Sequence, residues 1–140
     1  MSPEYLTFER TVREFITGVN SWESLAEVGV AIQWSEGSVA LSNPSERRVE
    51  ASLEEVAIGF LRLENRFQDL RAWATILLSS SVLIDLDQRF ETDPRGDVLL
   101  GGIWDAAFGE RPAHRVVAIA REVAGSLATR RPAPEYPFGN

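Results

Sequence analysis

The residues best able to do chemistry in this chain are gathered between Asp85 and Asp97, where Asp85, Asp87, Glu91, Asp93 and Asp97 are relieved only by Arg89 and Arg95. Carboxylates at that density can hold a hard cation, dock a basic protein, or cap helices in solvent. The cation reading fails on spacing: a calcium loop of the EF-hand type needs acids at positions 1, 3 and 5, glycine at 6 and glutamate at 12, and this stretch does not supply them. No metal and no cofactor is therefore expected. The plain reading is a solvated capping loop, and the sharper one is an acidic patch that binds a protein partner. Pairs such as Asp85 with Asp87, or Asp105 with Glu110, carry no specificity as acid/base couples in so acidic a chain, and residues two apart on a helix point away from each other.

The one histidine, His114, could serve as a general base beside Glu110 or Asp105 with a serine as nucleophile, but no Gly-x-Ser-x-Gly elbow presents such a serine. Every cationic side chain other than His114 is arginine, and there is no cysteine. Schiff-base and P-loop lysines, thiol nucleophiles, disulfides and thiolate metal sites are thereby excluded, and a single histidine rules out two- and three-histidine zinc sites. Gly101-Gly102 has neither the spacing nor the lysine of a phosphate cradle. The expectation is a protein that is not an enzyme. The remaining candidates are aromatic: Trp22, Trp34, Trp73 and Trp104 each fall on or beside an apolar face, and tryptophan and arginine dominate binding hot spots. Trp73, flanked by Arg71, lies one position off the main apolar stripe, so Trp73 and Arg71 join the five acidic residues as candidate partner contacts.

A formal net charge of −7 argues against nucleic-acid binding, which depends on basic patches, and favours encounter with a basic protein. The balance of 44% hydrophobic and 25% charged residues is that of a globular chain, and 140 residues suit one domain. The N-terminus shows no basic and apolar leader, and no apolar run reaches the roughly 18 residues of a membrane span, so a cytoplasmic protein is expected.

The elements that must position these groups are mostly helical. Leu53, Val56, Phe60, Leu63, Phe67, Leu70, Ala74 and Leu77 follow steps of three and four, which predicts a single long helix from Ser52 to about Ser81, opened by a capping box of Ser52 and Glu55. At its far end Ser79, Ser80 and Ser81 either break it or let it run on through Val82–Leu86 to Phe90. Before it come a helix from Pro3 to about Gly18 and a short one from Trp22 to about Glu27, with Trp22, Leu25 and Ala26 inward. A β-hairpin follows, with Val28, Val30, Ile32 and Trp34 alternating on one arm and Val39 and Leu41 on the other, and residues 47–51 either add a short third strand or simply lead into the long helix. Asp93-Pro94 opens a further helix carrying Val98, Leu99, Leu100, Ile103, Trp104, Ala107 and Phe108, in which Gly101-Gly102 marks a break or a close approach. Pro112 opens the last helix, with Ala113, Val116, Ala120, Val123 and Leu127 in step, and the Pro-rich residues 130–140 read as an extended tail.

The predicted fold is mainly α, a bundle of four or five helices around a long central helix with a small β-hairpin, in one domain over residues 1–129. The predicted function is a small acidic binding protein that sequesters or inhibits a basic protein partner, in the manner of an immunity protein or antitoxin. The rivals are a homo-oligomeric scaffold, paired as a homodimer through the wide apolar face of the central helix, and a carboxylate-based enzyme or ligand-binding bundle.

Overall fold

The computed structural model describes residues 3–36, 38–79 and 81–129, side chains at 3–6 and 126–129 excepted, and within them the chain is mainly helical with two small sheets. The tail expected over 130–140 lies outside the described residues. Helix α1 (Pro3–Ile16) buries Phe8, Val12, Phe15 and Ile16 and stops before Gly18, whose φ of 78° is left-handed as a helix-ending glycine allows. The next element is a 3-10 helix, Trp22–Val28. Three residues per turn put Trp22, Leu25 and Val28 on one inward face and leave Ala26 exposed, contrary to the expectation for an α-helix.

Strands β1 (Ala31–Ser35) and β2 (Ser38–Ser42) form a hairpin, with Trp34 opposite Val39 and Ile32 opposite Leu41, but the first arm starts later than expected, since Val28 ends the 3-10 helix and Val30 precedes the strand. The third strand, β3 (Val49–Ala51), does not join it. It pairs in parallel with β4 (Ile84–Leu86), Val49 opposite Ile84, so the apolar run after the serines is a turn leading into a strand and not helix. A parallel pair needs a long crossover, and the helices between β3 and β4 provide it.

That crossover corrects the long central helix. It is two helices, α2 (Leu53–Leu63) and α3 (Phe67–Ser79), separated by a turn in which the Arg66 N–H donates to the Leu63 carbonyl at 2.9 Å. The apolar stripe crosses the turn undisturbed, because Leu63 to Phe67 is a step of four whether or not the backbone between them is helical. The turn gives the two halves different neighbours. Helix α2 packs chiefly on α6 (His114–Thr129), while α3 packs on α5 (Pro94–Ala107), which follows the short α4 (Arg89–Thr92). The face expected to recruit a second copy is spent inside the chain: Leu53, Val56, Phe60, Leu70, Ala74 and Leu77 are all core.

The local signals at the start of α2 hold. The Glu55 N–H donates to Ser52 Oγ and the Ser52 N–H to Glu55 Oε1, each at 3.1 Å, and Arg13 of α1 grips both Glu55 carboxylate oxygens at 2.7 and 2.9 Å. Two glycines permit close packing. A Cβ on Gly59 would collide with the Ile16 carbonyl oxygen, and one on Gly102 with Val116 of α6, so of the paired glycines of α5 Gly102 marks a close approach within an unbroken helix while Gly101 faces open space.

Candidate functional site

The acidic stretch is built as a brace. Asp87 sits just past β4, where its own N–H donates to the Ala51 carbonyl at 3.0 Å. Its Oδ1 accepts the Arg89 N–H at 2.9 Å and its Oδ2 the Arg89 Nε–H at 3.0 Å, a local side-chain turn of the kind aspartate favours. Arg89 then forks onto Glu54 in the first turn of α2, Nη1 to Oε2 at 2.7 Å and Nη2 to Oε1 at 2.6 Å. Glu54 is only 2% exposed, and a carboxylate that deep persists when a planar guanidinium meets both of its oxygens. One turn further on, Asp93 caps α5 by accepting the Arg95 N–H at 2.9 Å, while Arg95 Nη2 returns to its Oδ2 at 3.0 Å.

The electrostatics follow from these bonds. The Arg89 backbone N–H, aided by the Arg89 side chain, holds the Asp87 carboxyl below its ordinary value against the opposing effect of burial. The Arg95 side chain and then its N–H do the same for Asp93. Hydrogen bonding to Glu54, then to Asp87, raises Arg89 further above the usual arginine range. Asp85 pairs with Arg48 at 3.3 Å on the surface. Of the five acidic candidates, Asp85, Asp87 and Asp93 therefore have their charge met within the chain. Glu91 and Asp97 are exposed, without an ion pair among the described residues. Among those residues no three His, Asp or Glu side chains are placed to share a metal ion, and His114, Glu110 and Asp105 all face solvent.

The other two candidates part company. Trp73 is 2% exposed, and its Nε1–H donates to the Ile16 carbonyl at 3.1 Å. It is a core residue and offers nothing to a partner, because α1 crosses α2 at Gly59 and covers it. Arg71, two residues earlier, lies on the outer side of α3 and lines an open groove of about 310 Å³. The other walls are Trp22 of the 3-10 helix, Trp34 of β1, Gln68 and Thr75 of α3, and Ala107 at the end of α5.

In this groove the Trp22 and Trp34 rings meet edge to face, with centroids 5.6 Å apart and planes at 71°. Trp34 is 42% exposed. The Arg71 guanidinium stands against the backbone of Gly109, and among the described residues it has no carboxylate partner. The end of α5 that supplies Ala107 also carries Trp104 and Phe108, stacked at 5.8 Å and 16°. Trp104 is 47% and Phe108 74% exposed, because Leu99, Ile103 and Ala106 define the buried stripe and leave 104 and 108 to one side of it. Apolar rings with a cationic head beside them make a surface suited to a protein partner.

Sequence reasoning found Arg71, Trp22 and Trp34 as separate candidates but not that they line one groove. Trp22, Trp34 and Arg71 come from three separate elements, and the strand alternation that put Trp34 on one face of the hairpin could not reveal that α3 covers that face incompletely. No helix among the described residues is long and apolar enough to cross a membrane. No protein-family model matches the chain, and no significant match is found among curated proteins or solved structures.

Proposed function

We propose that this chain is a protein-binding domain that sequesters or inhibits a basic protein partner, built as a helical bundle gathered on α2 and α3, and that it acts by docking and not by covalent catalysis. The observation that carries the reading is the groove itself: the half-buried Trp22 ring, the exposed Trp34 ring and an arginine with no carboxylate partner among the described residues, beside a stacked and exposed Trp104-Phe108 pair. Tryptophan and arginine are the residue types whose loss most weakens interfaces, and large exposed aromatic area is uncommon where nothing covers it. The net charge of −7 supplies the long-range half, raising the encounter rate with a basic protein while the aromatic groove supplies short-range grip.

The test is retention by the immobilised chain of a partner from its source lysate at low salt, with elution as salt rises. Trp34→Ser, and separately the double variant Trp104→Ser with Phe108→Ser, should lose that partner while keeping the wild-type circular dichroism spectrum. Equal retention by both variants would move the interface elsewhere, and recovery of nothing across the salt range would count against a basic partner.

A further inference from the structure

The hairpin is a sheet of two strands, so each strand has one edge with no neighbour in the sheet. Strand β2 lies against α3, which makes β1 the outer strand, and Ala31, Gln33, Trp34 and Ser35 of β1 are all exposed. Glu36 and Gly37 alone link Ser35 to Ser38, and with that two-residue loop Ser35 and Ser38 exchange hydrogen bonds. Alternation along the ladder then gives Gln33 to Ala40 and Ala31 to Ser42, leaving the backbone N–H and C=O of Ile32 and Trp34 directed away from β2. Among the described residues these groups find no other backbone partner. The strand has none of the devices that keep an edge from pairing: no charge, no proline and no bulge interrupts Ala31–Ser35.

We propose that β1 is a dimerisation edge, pairing antiparallel with β1 of a second copy across a two-fold axis at Gln33 to make one four-stranded sheet. An antiparallel edge is complementary to itself, so one strand serves both sides of an isologous contact. The register follows from which groups are free. Ile32 and Trp34 must be the hydrogen-bonded positions, so Ile32 of one copy faces Trp34 of the other, twice, and Gln33 faces Gln33. Each Ile32–Trp34 contact is the aromatic and β-branched combination that stabilises neighbouring strands, and it covers part of the exposed Trp34 ring. The strand is uncharged in a chain of net charge −7, so edge contact itself opposes no like charges. The dimer shares Trp34 with the proposed groove but is told apart from it by the opposite salt response: screening strengthens association of two acidic copies and weakens binding of a basic protein.

Sedimentation velocity of the full chain from micromolar to high micromolar concentration in 0.15 M salt tests it. A reversible dimer is expected, tightening as salt rises. Gln33→Glu and Gln33→Lys each place like charges on the axis and should weaken the dimer about tenfold or more, while an equimolar mixture of the two should restore it as a heterodimer. Ile32→Pro removes an outward N–H that the hairpin does not use and should give a monomer. A wild-type monomer throughout the range overturns the proposal, as does a dimer indifferent to both Gln33 variants and their mixture.

Discussion

The acidic brace and the aromatic groove are both dense in side chains that recognise proteins, yet they have opposite internal accounts. In the brace, Asp87 and Asp93 spend both carboxylate oxygens on Arg89 and Arg95, and Arg89 spends its outer nitrogens on the buried Glu54. In the groove, Arg71 has no such partner among the described residues, and Trp34, Trp104 and Phe108 keep large parts of their rings in water. Charge density along a sequence is therefore a poor guide to available charge. An acidic run interleaved with arginine at a spacing of two can close on itself, and here it ties the start of α2 to the α4–α5 corner.

The largest effect that could break this comparison is on stability. Arg89→Ala takes the fork from a carboxylate that has almost no access to water, and should lower the unfolding free energy by about 2–4 kcal/mol, somewhat under the usual loss for a fully buried pair because Arg89 is 33% exposed. Replacing both Glu54 and Arg89 by leucine should recover most of that, as a brace allows and a functional ion pair would not. Urea denaturation measures both, and partner retention by the double variant should stay at the wild-type level.

A smaller effect is the response to acid. Asp87 and Asp93 are held below the ordinary carboxylate value of 3.8, so on acidification the unfolded chain takes up these protons before the folded one does. The stability they contribute is complete at pH values above 3.8 and disappears as pH falls through their folded values. Urea midpoints compared at about pH 5.5 and pH 3 should fall, and Asp93→Asn, which keeps a capping oxygen, should flatten that slope without changing the midpoint greatly at neutral pH. An unchanged slope would mean that the Asp93–Arg95 pair is not maintained in solution.

The smallest expected change in stability belongs to the groove. Trp104→Ser and Phe108→Ser should each shift the unfolding free energy by no more than about 0.5 kcal/mol, the usual range for surface positions. A loss several times larger would show that the stacked pair supports the end of α5, and would remove it from the interface.

Much of the scaffold was legible in the residues. The Ser52 and Glu55 capping box, the Asp93-Pro94 start of α5, the left-handed Gly18 after α1 and the alternation of Ile32 with Trp34 and of Val39 with Leu41 appear where the sequence places them. Each depends on hydrogen bonds, dihedral preferences or periodicity within a few residues of itself, and such signals need no knowledge of the rest of the chain. The turn between Leu63 and Phe67, the pairing of β3 with β4, the burial of Trp73 under α1 and the exposure of Trp104 and Phe108 were decided by tertiary structure. Those outcomes depend on which surfaces meet. Apolar periodicity records that a side chain needs cover but not which element will provide it, and a carboxylate records its charge but not whether an arginine two residues on, or in another helix, will claim it.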